Sequence, residues 1–110
     1  MLGDEDANKI KEAYCHLITG RYGETHEAID RIFNYKREPL AVYLKAVAFE
    51  HQGIHALALD YYGRALRLDD QIGDAYKKRG IYEQELKQWD KSVEDFTEVL
   101  KLYPDAFRIN

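Results

Sequence analysis

Apolar residues recur along the chain at the three- and four-residue spacing of amphipathic α-helices. The first such stretch runs from the acidic residues near Asp4 to about Thr19, where the glycines of the segment GRYGE end it. A second helix is expected from Thr25, which suits an N-cap, to about Tyr35. Further helices are predicted at about 39–51, 56–69, 74–86 and 90–103. No segment requires a strand, so the pattern predicts an all-α chain of six helices.

The stretch from 39 to 106 divides into two consecutive segments of 34 residues each. Laid over each other without a gap, the segments agree in residue class along most of their length, as in the pairs Val42 with Tyr76 and Tyr62 with Phe96. Agreement of residue class at a fixed spacing indicates an internal repeat. We therefore expect one domain, 1–110, built from three helix pairs at about 5–38, 39–72 and 73–106.

Composition limits the possible functions. With 45% hydrophobic and 33% charged residues, the chain has the make-up of a soluble globular protein. The net charge of −4 does not suggest a nucleic-acid surface, and acidic residues surround each short basic cluster, so nucleic-acid binding is kept only as a minor alternative. No run approaches the ~18 apolar residues of a membrane span. A single cysteine, Cys15, forms no internal disulfide, so we expect a reduced, cytoplasmic protein without membrane contact.

Motifs for catalysis or cofactor binding are not found in the sequence. His51 and His55 have the spacing of a zinc-binding pair, but Gly53 lies between them at a predicted turn and no third ligand is nearby. Cys15 and His16 are adjacent, so on a helix their side chains diverge by about 100° and Cys15 is expected to be a packed thiol. We therefore predict no enzyme activity, no metal and no cofactor.

The spacing of small and aromatic residues resembles the tetratricopeptide repeat (TPR), whose 34-residue pattern is W-x2-L-G-x2-Y, then A-x3-F, then P. The residues that carry this resemblance are Ala46, Ala58 and Tyr62 in the first segment and Tyr76, Gly80, Ser92, Phe96 and Pro104 in the second. The resemblance implies an α-solenoid of three antiparallel helix pairs, in which the first helix of each pair lines a concave groove.

Two registers are open for the first helix pair. One sets Gly20 in the Gly-x-Tyr turn of the family, and the other sets Gly23 against Gly53, with Ala28 in the place of Ala58. The sequence does not choose between them, because the first pair matches the pattern only approximately.

Three charged residues depart from the family pattern. Lys45 and Arg79 stand in place of an apolar residue, and long basic side chains can lie along an apolar surface with the charge in water. Glu83 stands in place of an aromatic residue, which makes tight packing of the third pair harder.

The resemblance also implies that the first helices carry a partner-binding surface. The expected binding residues are Ile10, Tyr14, Leu17, Leu40, Tyr43, Leu44, Val47, His51, Lys77, Lys78, Ile81 and Gln84. This lining is apolar at one end and charged at the other. Chaperone-binding TPR domains hold a C-terminal carboxylate with a polar clamp, and of that clamp only Lys78 matches here. The lining instead resembles the grooves of the small TPR chaperones of bacterial secretion systems.

We expect a non-catalytic protein–protein interaction module that binds a partly apolar peptide or helix of a partner. In the alternative, Tyr43, Leu44 and Val47 pack against neighbouring helix pairs or a second copy, and the chain is a structural, self-assembling subunit. No solvating helix follows Pro104, so the apolar surface at the C-terminal end is expected to be partly open to another copy. That surface comprises Phe96, Val99, Leu100 and Phe107.

Overall fold

The structure is a computed structural model that describes residues 3–105. In that range it has α-helices, one 3₁₀ turn at Tyr35–Arg37 and no strand. The helices are α1 Asp4–Ile18, α2 Tyr22–Asp30, α3 Pro39–His51, α4 His55–Leu68, α5 Gly73–Glu85 and α6 Trp89–Leu102. The predicted all-α fold of six helices is therefore confirmed, with α4, α5 and α6 each beginning and ending one residue earlier than expected.

The chain forms two compact units, the N-terminal unit Met1–Leu68 and the C-terminal unit Asp69–Asn110. The N-terminal unit holds α1 to α4 and the C-terminal unit holds α5 and α6. The division into three helix pairs within one domain stays a prediction, and its last residue, 106, lies outside the described residues.

The second helix differs most from its predicted bounds. It begins at Tyr22, so Thr25 is not its N-cap but a fully buried residue inside it, and the Thr25 hydroxyl donates to the carbonyl of Arg21 at 2.9 Å. The helix ends at Asp30 with Arg31 as its cap, and Asn34 then adopts a left-handed conformation with φ 56° at the start of the 3₁₀ turn. The predicted extension to Tyr35 is therefore wrong.

The turns between paired helices share one backbone conformation. Gly20, Gly53 and Lys87 have φ of 80°, 76° and 62°, and each follows the residue that caps α1, α3 or α5. Glycine adopts this left-handed conformation without a steric penalty, which explains why glycine occupies positions 20 and 53. Gly20 therefore corresponds to Gly53, as the first of the two registers requires.

The small residues of the second helices agree with this register. The backbone N–H groups of Thr25, Ala58 and Ser92 each donate to the carbonyl four residues earlier, in the first turn of α2, α4 and α6. All three residues are buried. Thr25 therefore occupies the place of Ala58, and the register that put Ala28 there is wrong.

Two hydrogen-bonded contacts show that α5 and α6 run antiparallel. In the C-terminal unit the Ser92 hydroxyl donates to the carbonyl of Gly80 at 2.8 Å, whereas Arg79, one residue earlier in α5, reaches Asp95, three residues later in α6. Gly80 allows this close approach, since a Cβ there would lie 3.2 Å from the ring of Phe96.

One apolar cluster in the core of the N-terminal unit draws on α1, α2, the segment just after α2, and α3. Its buried members are Ile10, Ala13, Ala28, Ile29, Ile32, Ala41 and Leu44. In the C-terminal unit Val99 is also buried, at 3% exposed, which corrects its expected place on an open apolar surface. Leu100 is 48% exposed as expected, Phe96 is half-buried, and Phe107 lies outside the described residues.

Candidate functional site

Six of the expected binding residues lie on α1 and the first half of α3, and we call them the α1/α3 surface. They are Ile10, Tyr14, Leu17, Leu40, Tyr43 and Leu44. Ile10 and Leu44 are buried members of the apolar cluster, and Leu17 and Tyr43 are half-buried and pack against it. Tyr14 and Leu40 are 54% and 46% exposed. The structure thus brings four of these residues together as an apolar floor and leaves two open to solvent.

Tyr14 and Leu40 lie close to this floor through helix geometry. Tyr14 follows Ile10 by four residues on α1, and Leu40 precedes Leu44 by four residues on α3. Residues four apart are neighbours on the same face of a helix. Each exposed side chain therefore lies one turn from a buried member of the floor.

The two remaining α3 residues differ in exposure. Val47 is 5% exposed and is part of the core. His51 is exposed, and its ring stacks on that of Tyr22 from α2, with centroids 5.5 Å apart and planes 6° from parallel. Among the described residues no group of three or more His, Cys, Asp or Glu side chains could hold a metal ion.

A second imidazole contact lies close by in the N-terminal unit. The ring of His26 on α2 lies 4.2 Å from that of Phe49 on α3, and its Nε2 makes a 2.9 Å hydrogen bond with Gln52. Burial lowers the pKa of His26 below its usual 6.5, although the hydrogen bond to Gln52 partly offsets this. Burial therefore favours the neutral form of His26 in the folded unit.

The C-terminal unit carries the charged part of the expected site. Lys77, Lys78, Ile81 and Gln84 are all exposed on α5, and Ile81 is 41% exposed. This face therefore offers one apolar side chain among cationic and amide groups. Whether these residues and the α1/α3 surface bind one partner stays a prediction.

The opposite side of α5 carries a buried ionic cluster that the sequence did not reveal. Arg79 Nε and Nη2 donate to the two carboxylate oxygens of Asp95 at 2.7 and 2.6 Å, and Asp95 is 4% exposed. Glu83 is 5% exposed beside them. Burial and the hydrogen bond to Asp95 raise the pKa of Glu83 to about 8, so this carboxyl is protonated at neutral pH. Glu83 is thus accommodated in neutral form, and the charge of Arg79 is paired rather than left in water.

Lys45 is likewise paired and buried. It is 5% exposed, and its Nζ donates to Asp30 Oδ1 at 2.7 Å while lying 5.2 Å from the ring centroid of Tyr35. The expectation that its charge would extend into water is therefore wrong. Lys45 connects α3 to α2, and Arg79 connects α5 to α6, so both cations tie neighbouring helices together.

Cys15 also differs from its expected role. Its side chain is exposed on α1, so the prediction of a packed thiol is wrong. The helical stripe of α1 is centred on Ile10 and Ala13, and Cys15 lies two positions beyond Ala13, away from that stripe.

Among the described helices none is long and apolar enough to cross a membrane.

Comparisons with known proteins identify a repeat in the C-terminal unit. A profile described as tetratricopeptide repeat matches residues 69–106. A comparison with curated proteins found no match.

Solved structures share the fold of nearly the whole chain. The crystal structure of MamA has 20% identity and a TM-score of 0.81 over 92% of this chain. The NMR structure of the first TPR domain of human RPAP3 has 20% identity and a TM-score of 0.82 over 94% of this chain and 82% of that domain. The second TPR of Spaghetti (RPAP3), bound to the HSP90 peptide SRMEEVD, has 20% identity and a TM-score of 0.79 over 90% of this chain and 93% of that one. The chain spans only 60% of the length of MamA. These likenesses confirm the predicted α-solenoid class.

Proposed function

We propose that this chain is a tetratricopeptide-repeat protein that acts as a non-catalytic module and binds a partly apolar segment of a partner protein. The observation that carries the proposal is the exposure of Tyr14 and Leu40 beside the apolar floor of the α1/α3 surface. Large apolar side chains that stay open to solvent next to a packed floor are typical of protein interaction sites.

The chemistry of the surface favours an apolar ligand over an acidic chain terminus. RPAP3 domains of the same fold bind an HSP90 peptide that ends in EEVD. In this chain Ile10, Tyr14 and Leu44 stand where a polar clamp for a terminal carboxylate would be needed. A tyrosine at the centre of such a surface supplies a large ring for packing and a hydroxyl for one hydrogen bond. We therefore expect the partner segment to place aliphatic or aromatic side chains against Tyr14 and Leu40.

A peptide selection tests this function. Peptides selected from a displayed random library on the wild-type chain should be rich in apolar residues, and calorimetry then gives their affinity for variants. Tyr14→Ala and Leu40→Ala should each weaken binding by about 1–3 kcal/mol, roughly 5- to 150-fold. Phe33→Ala is the matched control, because Phe33 is 81% exposed in the same unit but outside the α1/α3 surface. Variants at the buried Val47 are avoided, since they would perturb folding.

Two outcomes would contradict the proposal. The first is a selected peptide that binds Tyr14→Ala and Leu40→Ala as tightly as the wild type. The second is a wild-type oligomer that light scattering shows to dissociate on Tyr14→Ala, which would make the α1/α3 surface a contact between copies.

A further inference from the structure

A surface depression of about 340 Å³ lies in the N-terminal unit, between the 3₁₀ turn and α4. Lys36 lines it from the turn, and Asp60, Arg64, Arg67 and Leu68 line it from α4. Three of these five residues are cations and one is a carboxylate, in a chain whose net charge is −4. The depression is therefore a basic site on an acidic protein.

The one carboxylate of the depression is already paired. Arg64 Nε donates to Asp60 Oδ2 at 2.7 Å, and the guanidinium lies 5.0 Å over the ring centroid of Tyr61. The ion pair and the ring contact both restrict the guanidinium, which lowers the entropy cost of a further hydrogen bond. Neither of its Nη groups forms a hydrogen bond with a described residue, and the Arg64 side chain is 48% exposed.

The other two cations have no partner within residues 3–105. Lys36 and Arg67 are exposed, and the side chain of neither forms a hydrogen bond or ion pair with a described residue. Together with Arg64, whose charge Asp60 offsets, they leave the depression with an excess of two positive charges. Lys36 and Arg67 line the same depression, and an anion that enters between like charges lowers their mutual repulsion.

We propose that this depression, the Lys36–Arg67 site, binds a carboxylate-rich segment of a partner protein. Guanidinium groups match carboxylates in a planar, two-bond geometry, and lysine adds a point charge. Leu68, which is 42% exposed at the same depression, supplies an apolar contact for the stem of a Glu or for a neighbouring Leu. The site is separate from the α1/α3 surface, so either can fail without the other.

The size of the site favours an acidic peptide over a nucleic acid. Nucleic-acid binding draws its strength from several phosphate contacts along a basic track. Here the three cations are confined to one depression, which offers fewer contacts than such a track needs. A short run of Asp or Glu side chains needs only the depression itself.

The test measures fluorescence anisotropy of a labelled acidic peptide composed of Glu and Leu, added to the full chain near physiological ionic strength. Lys36→Glu and Arg67→Glu should each weaken binding about five- to tenfold, because each replaces an attraction by a repulsion. Lys91→Glu is the matched control, since Lys91 is an exposed cation on α6 and the change in net charge is the same. The control should bind within about twofold of the wild type. Circular dichroism checks that each variant is folded, and Arg67→Gln replaces Arg67→Glu if the latter is not.

Three results would overturn the proposal. The first is that the acidic peptide shows no measurable binding to the wild type. The second is that Lys91→Glu weakens peptide binding as much as Arg67→Glu does. The third is that a single-stranded DNA oligonucleotide binds more tightly than the peptide and that Arg67→Glu abolishes this DNA binding. The second would mean that only net charge matters, and the third that the site recognises phosphate. Weakening confined to the two variants of the site supports it.

Discussion

Raising the pH should weaken the C-terminal unit, because Glu83 must then lose a proton while buried. Glu83 is 5% exposed on α5 and lies beside Asp95, whose carboxylate Arg79 holds. Burial first, and then the hydrogen bond to Asp95, raise the pKa of Glu83 from 4.5 to about 8. Between these values the folded state keeps a proton that the unfolded chain has lost. The free energy of unfolding therefore falls as the pH rises through this window.

The size of the effect follows from the pKa difference. Each pKa unit corresponds to about 1.4 kcal/mol, so a rise from 4.5 to about 8 sets an upper bound of about 5 kcal/mol. This pKa already includes the attraction of ionised Glu83 to Arg79 and Lys91, which burial and Asp95 outweigh. Relaxation of the surroundings and entry of water on ionisation reduce the cost below this bound. We therefore expect the free energy of unfolding to fall by about 2 kcal/mol or more between about pH 5 and about pH 9.

Urea unfolding followed by tryptophan fluorescence measures this change, because Trp89 is the only tryptophan of the chain and begins α6 in the same unit. Glu83→Gln keeps the size and hydrogen-bonding capacity of the protonated carboxyl but cannot ionise. The variant should match the wild type near pH 5 and exceed its stability by about 2 kcal/mol near pH 9. Glu85→Gln is the control, since it makes the same substitution at an exposed position of the same helix.

The expected pattern is a steep pH slope for the wild type and Glu85→Gln, and a shallow slope for Glu83→Gln. Parallel loss of stability in the wild type and Glu83→Gln would show that another group titrates. The assignment of a protonated Glu83 would then be refuted.

Further predictions concern charge pairing, turn geometry and acid sensitivity. In urea unfolding, Lys45→Met should lower the free energy of unfolding by less than about 1 kcal/mol, because its partner Asp30 is half-exposed. Arg79→Met should lower it by about 3 kcal/mol or more, because Asp95 is left buried and unpaired. Equal losses from the two variants would contradict this reasoning. In thermal unfolding, Lys87→Gly should stabilise the C-terminal unit by about 1 kcal/mol, because glycine adopts the positive φ of 62° without steric strain. A loss of stability would show that Lys87 is not strained in this conformation. NMR titration should give the His26 imidazole a titration midpoint below pH 6.5. The free energy of unfolding of the N-terminal unit should then fall as the pH drops through that midpoint. A midpoint above 6.5 would contradict the effect of burial on this pKa.

The fold was largely predictable because it depends on features that the sequence displays directly. Helical periodicity gave six helices, and the 34-residue repeat related the second and third pairs. The first pair was harder for a specific reason. Gly20 and Gly53 lie 33 positions apart, whereas Gly53 and Lys87 lie 34 apart, so an alignment without gaps loses the register by one residue. In addition, Thr25 occupies the position in α2 that corresponds to Ala58 in α4. Because threonine is a common N-cap residue, the sequence suggested a helix start there instead.

The partners of the buried charges could not be predicted from sequence. Lys45 and Arg79 occupy the same repeat position, 34 residues apart, yet Lys45 reaches back to Asp30 and Arg79 reaches forward to Asp95. A long basic side chain can turn toward either neighbouring helix, and the choice depends on which helix offers a carboxylate within reach. A periodic pattern assigns a residue to a face of its helix and carries no information on that choice.

The depth of each candidate site residue is the other quantity that the sequence leaves open. Ile10 and Tyr14 lie one turn apart on the same face of α1, and Leu40 and Leu44 do so on α3, yet in each pair one residue is buried and the other is half-exposed. Depth depends on how closely the neighbouring helix approaches at that level, and in the N-terminal unit Leu17 and Tyr43 pack against the cluster that contains Ile10 and Leu44. Buried members of such a face hold the helices together and shape the surface. Binding energy must then come from the residues that still have solvent to displace, which is why Tyr14 and Leu40 are the informative positions to change.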